Sequence, residues 1–149
     1  MSIEEIIKTA KGTEKADLVI KNAQIINVLS EEIYTADIAI KDGIIAGIGN
    51  NYKGENKIDA NGKYVSPSFI DGHVHIESSM LQPSEFAKMV VPTGTTTIIA
   101  DPHEISNVIG LHGISFMREA SKDLPLDVYM TLPSCVPATP YETSGFELN

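Results

Sequence analysis

The sequence predicts an α/β fold in two parts, and three observations predict it. Between Asp17 and Ile58, short runs rich in Ile and Val alternate with turn residues, the pattern of an antiparallel sheet with one buried face. From Pro67 onward, apolar strand-like runs alternate with helical segments, the pattern of βαβ units and a parallel sheet. The first of those later strands ends in two histidines two positions apart, in Phe69-Ile70-Asp71-Gly72-His73-Val74-His75. The expected organisation is therefore an amphipathic helix over residues 1–13, a partial β-sandwich over 14–66 and βα units over 67–149.

Each element has a local reason. Ser2-Ile3-Glu4-Glu5 matches a capping box, Ile3, Ile6, Ile7 and Ala10 repeat at helical spacing, and Gly12 is placed to end the helix. That apolar stripe needs a partner surface, on its own domain or on a neighbouring subunit. Strands are expected at Leu18 to Ile20, Gln24 to Leu29, Tyr34 to Ile40 and Ile44 to Ile48, with turns at Lys21-Asn22, Ser30-Glu31-Glu32, Lys41-Asp42-Gly43 and Gly49-Asn50-Asn51. Asp42-Gly43 between apolar runs is a hairpin signal. Asp37 and Asp42 read as solvent-face or turn residues. Asn56 to Val65 adds a strand and an Asn-Gly turn. Beyond Pro67 the expected order is a buried strand Phe69 to Val74, then a helix from about Pro83 with Phe86, Met89 and Val90 on one face. A strand follows from Thr95 to Ala100, then a helical region reaching Lys122, weakened by Gly110 and Gly113, and a strand from Asp127 to Leu132.

The totals exclude several functions. The chain has 149 residues, 42% hydrophobic and 21% charged, which is long enough for a real core. A net charge of −9 and a pI near 4.8 argue against sequence-independent binding to nucleic acid or to anionic membrane. The single cysteine, Cys135, excludes an intrachain disulfide and fits a reducing compartment. No apolar run reaches membrane-spanning length, and the first residues lack a signal-peptide pattern, so cytoplasm is the expected location.

Chemistry is expected at the C-terminal strand ends, where parallel barrels carry their sites. On a strand, residues two apart share a face with Cα atoms roughly 6.5–7 Å apart, so His73 and His75 can meet on one ion. On a helix they would lie about 200° apart and could not. The alternative is one packed histidine and one solvated one, but the apolar run into the pair and the polar Glu77, Ser78 and Ser79 after it favour a metal. The second strand end offers Asp101, His103 and Glu104, and the third offers Ser134, Cys135 and Thr139. Asp101, Pro102 and Glu104 also fit the start of a helix, with Asp101 as N-cap. His112, in register with Ile105, Val108, Ile109 and Phe116, reads as a packing residue, and Cys135 as packing or pocket lining. Asp71 either orients the histidine pair from behind or bonds nearby backbone at a turn. His75-Ile76-Glu77 matches the H-x-E of cytidine-type zinc deaminases, but that site needs two further cysteines and the reading fails.

Phe69-Ile70-Asp71-Gly72-His73-Val74-His75 resembles the first-strand signature of the amidohydrolase superfamily of metal-dependent (β/α)8-barrel hydrolases. Ile76-Glu77-Ser78-Ser79, Pro92-Thr93-Gly94-Thr95-Thr96-Thr97, Asp101-Pro102-His103-Glu104 and Pro133-Ser134-Cys135-Val136-Pro137 resemble, within it, the bacterial adenine deaminases. The resemblance runs from about Ala16 onward, and members of that family are several times longer. It implies that the partial β-sandwich precedes the first βα units of a TIM barrel, incomplete in this chain, since eight such units need at least about 200 residues. It further implies hydrolytic deamination of adenine at purine C6 by a metal-activated hydroxide, on a two-metal site favouring manganese or iron, with zinc as an alternative. His73 and His75 are the implied metal ligands. Glu77, His103, Asp101, Glu104 and Ser134 are candidates for further metal or substrate contacts, with Asp71 behind the ligands. The catalytic groups and remaining ligands are expected beyond Asn149, in a homodimer acting on a small molecule, and the 149 residues are expected to be inactive alone. Other readings are a dihydroorotase-like or imidazolonepropionase-like hydrolase, or a non-catalytic truncated product needing a partner.

Overall fold

A computed structural model describes residues 2–147, which form two compact units divided between Pro67 and Ser68. The boundary coincides with the change of pattern at Pro67.

The first unit opens with helix α1 (Ile3–Ala10), and its capping box forms as expected: Ser2 Oγ accepts from the Glu4 amide and Glu5 accepts from the Ser2 amide. The helix packs on β2 and β3, but the residue it buries is Thr9, while Ile3 stays 74% exposed. Five strands follow: β1 (Ala16–Asn27), β2 (Glu32–Lys41), β3 (Ile44–Gly49), β4 (Gly54–Asp59) and β5 (Tyr64–Val65). They form one sheet in the order β3-β2-β1-β4, with β5 also beside β1. The β1-β2-β3 meander is antiparallel, and Asp42 and Gly43, both with positive φ, make its tight turn. Strands β4 and β5 run parallel to β1, so the sheet is mixed rather than antiparallel.

Lys21-Asn22 is not a turn. It is a bulge inside a continuous β1, where the register to β2 shifts between Ile20 and Ala23 and Asn22 takes φ 56°. The cause is Asp37, which is buried rather than on a solvent face: its carboxylate accepts from the Asn22 amide at 3.1 Å and from Lys21 Nζ. An internal carboxylate anchors the bulge that composition alone reads as a loop.

The second unit is a three-stranded parallel sheet, ordered β6 (Phe69–Val74), β7 (Thr95–Ala100), β8 (Asp127–Met130), with β7 central. Helix α2 (Pro83–Val90) connects β6 to β7, and α3 (His103–Ile109) with α4 (Leu111–Ala120) connects β7 to β8. The core gathers Ile76, Phe86, Ala87, Ile98, Ala100, Met117 and Leu126, with Val74, Val128 and Met130 packed against it. In α2 the buried positions are Pro83, Phe86 and Ala87, and Met89 is 65% exposed. Strand β6, expected to be buried, is an edge strand and is exposed on both faces over most of its length.

The region from Asp101 to Lys122 is two helices, broken at Gly110 (φ 60°, ψ −137°), a conformation open in practice only to glycine. The break resets the helical register: α4 buries Gly113 and Met117, and His112 is exposed rather than packed. The N-cap of α3 is Pro102 without a side-chain bond, so Asp101 does not cap the helix.

Candidate metal centre

Strand β6 ends at Val74, and its register to β7 is irregular between Asp71 and Val74. The Asp71 carboxylate takes the backbone N–H of His73 at 3.1 Å, the backbone-bonding option of its two sequence readings. Just past the strand, Ile76 is fully buried and Glu77–Ser79 form a single 3-10 turn. Burial of Ile76 pins the segment, so His73 and His75 are presented together at the strand end.

Their rings are edge to face, with centroids 4.9 Å apart, and their Nε2 atoms face each other at 3.1 Å. Two nitrogens bound at about 2.0–2.1 Å to one tetrahedral or octahedral ion are separated by about 2.9–3.4 Å, so the pair already has the spacing of two ligands on one cation. Asp101 is the third member: one donor atom of each of His73, His75 and Asp101 lies within 4.8 Å of the others. The sheet brings it there, because the Asp101 amide bonds the Val74 carbonyl at 2.9 Å and continues the β6–β7 ladder into the site. Asp101 Oδ1 is buried without a hydrogen-bond partner among the described residues. A buried carboxylate oxygen is costly without a donor or a cation. Two convergent imidazoles and an unsatisfied carboxylate suit a divalent ion such as zinc, iron or manganese.

Glu104 reaches the same site from the first turn of α3. Its Oε2 pairs with His75 Nδ1 at 2.9 Å, and its Oε1 accepts from Ser78 Oγ at 2.7 Å. Burial pushes the Glu104 carboxyl up, but the hydrogen bonds from Ser78, its own amide and His75 outweigh it and hold the group below its ordinary value. Glu77 Oε1 accepts the Ile105 amide at 3.3 Å, tying the turn after β6 to α3, while Oε2 is buried without a partner among the described residues.

The other expected positions lie apart from this cluster. His103 opens α3 and is not one of the three side chains whose donor atoms cluster. Ser134 and Cys135 are exposed and line a separate pocket with Val136 to Pro140 and Glu147, so Cys135 is pocket lining. The Glu104–His75 contact was not foreseen. The signal available was Glu104 three residues beyond Asp101, at the neighbouring strand end.

A parallel α/β unit with imidazole and carboxylate groups able to hold a metal gathered at its strand ends has the layout of a metal-dependent hydrolase. The chain belongs to the amidohydrolase family, whose model matches residues 64–149; a model of the urease alpha-subunit N-terminal domain matches residues 3–69. Among curated relatives, adenine deaminase of Geobacillus kaustophilus is 59% identical over 97% of this chain, and that of Clostridium acetobutylicum 58% over 96%. Adenine deaminase 2 of Desulfotalea psychrophila is 53% identical over 99%. The chain spans about a quarter of the length of each, 25–26%. Membership of the family implies a divalent metal site. No helix among the described residues is long and apolar enough to cross a membrane.

Proposed function

We propose that this chain supplies the first metal-binding strands of an adenine deaminase, which hydrolyses adenine to hypoxanthine and ammonia. The observation that carries the reading is the facing Nε2 pair of His73 and His75 at 3.1 Å beside Asp101. The names of its relatives, at 53–59% identity, supply the substrate. His73 and His75 would hold the ion through neutral Nε2 atoms, with Asp101 as third donor, and the metal is manganese or iron in preference to zinc. A bound divalent ion lowers the pKa of water to about 7 and so supplies a nucleophile at neutral pH. The part of this chain is to hold its ligands in the correct protonation state and spacing. Ser134 and His103 are candidates for substrate contacts.

On this reading the three strands of the second unit begin a (β/α)8 barrel, and the remaining ligands and the catalytic acid and base come from downstream sequence. The first unit begins a β-sandwich: its sheet leaves Ile45, Ile48 and Leu29 exposed along an apolar groove, a face that further strands would cover. A cytoplasmic homodimer is the accompanying expectation.

The test is ammonia release from adenine with added manganese, for the 149 residues and for the chain continued through its native downstream sequence. Release by the longer chain alone supports the reading. Release by the shorter chain overturns the half-site, and release by neither overturns the adenine assignment.

A further inference from the structure

Glu104 is close enough to the histidine pair to be taken for another metal ligand, but its geometry gives it a different task. Its contact is with His75 Nδ1, the ring nitrogen that is not part of the facing Nε2 pair. Its second oxygen is occupied by the Ser78 hydroxyl. Glu104 is also absent from the three-residue group whose donor atoms converge. An ionised carboxylate can only accept, so the His75 proton sits on Nδ1. A neutral imidazole protonated there has its lone pair on Nε2, pointed at the metal position.

We propose that Glu104 is a positioning residue that fixes His75 as the Nδ1–H tautomer and so presets Nε2 for the metal, with Ser78 holding Glu104 in place. This rests on the metal-site reading above and adds a division of labour to it.

The arrangement joins segments distant in sequence. Ser78 belongs to the turn after β6 and Glu104 to the first turn after β7. Carboxylates behind a metal-bound histidine orient the ring and raise its basicity, and their loss costs about 10–100-fold in metal affinity.

The experiment uses the full-length protein, stripped of metal, with 15N-labelled histidine. Long-range 1H–15N spectra report the tautomer of His75, and zinc affinity is measured by chelator competition. Wild type is expected to show His75 as Nδ1–H. Glu104→Ala is expected to give mixed tautomers and about 10–100-fold weaker zinc binding, with Glu104→Gln in between because its amide oxygen still accepts. An Nε2–H tautomer in wild type, or a tautomer and affinity unchanged in Glu104→Ala, overturns the proposal. If Glu104→Ala does not fold, Ser78→Ala decides, with a smaller change of the same sign expected and no change in either readout counting against it. Zinc affinity insensitive to His73→Ala and His75→Ala would instead sink the metal-site reading, and the metal-free tautomer would still judge Glu104.

Discussion

Ile76 is the residue on which the histidine pair depends mechanically. It follows His75 directly, is fully buried, and packs in the core that contains Phe86, Ile98 and Met117. Ile76→Ala removes three buried carbons, about 2.4 kcal/mol at about 0.8 kcal/mol per methylene. The residual cavity raises the cost to about 3–4 kcal/mol, within the range measured for such truncations. Ile76→Val removes one carbon and costs about 1 kcal/mol. Hydrogen exchange followed by mass spectrometry reads this locally in the full-length protein, without assuming two-state unfolding. Amides in the segment 69–80 should exchange roughly 150- to 700-fold faster in Ile76→Ala and roughly fivefold faster in Ile76→Val, since each 1.4 kcal/mol is about a factor of ten. Rates within threefold of wild type in Ile76→Ala would show that Ile76 does not anchor the segment.

Gly110→Ala should destabilise the α3–α4 corner by at least about 1–3 kcal/mol, because φ 60°, ψ −137° is open in practice only to glycine. A Cβ there would also clash with the Phe146 ring, and faster exchange in segment 103–120 checks it. Asp17 is held below its ordinary value of 3.8 by a hydrogen bond from Lys41, then by the Asp42 amide. A depressed carboxyl stabilises the folded state above its unfolded pKa, and that contribution disappears as pH falls through the lowered value. Asp17→Asn should therefore flatten the acid limb of the stability curve below about pH 4, read from denaturant midpoints across pH. The Lys41 ammonium is raised by the same pair, so its contribution holds below the usual lysine range and is lost only at more alkaline pH.

Much of this architecture was legible because the signals were local. The capping box at Ser2, the turn at Asp42-Gly43, the strand Thr95–Ala100 and the strand starting at Asp127, which ends at Met130 rather than Leu132, follow from residues a few positions apart. What escaped the sequence depends on partners far along the chain. The Asn22 bulge needs Asp37, 15 residues on, and the parallel placement of β4 beside β1 needs a crossover that periodicity does not encode. His112 misled because a helical register was carried across Gly110, where the backbone turns away. At the site, the two-residue spacing pointed to His73 and His75 meeting, and their Nε2 atoms do face each other at 3.1 Å. The selection of Asp101 for the cluster, and of Glu104 for the reverse side of His75, depends on the β6–β7 register and on the direction in which α3 starts.

The most direct test of the account is where a metal sits. Crystals of the full-length protein loaded with zinc, with data collected at the zinc absorption edge, locate the ion by anomalous scattering. The account predicts a peak about 2.0–2.1 Å from both Nε2 atoms, on the side facing Asp101. A metal bound through Nδ1 of His75, or full occupancy elsewhere with no peak between the two rings, would contradict it.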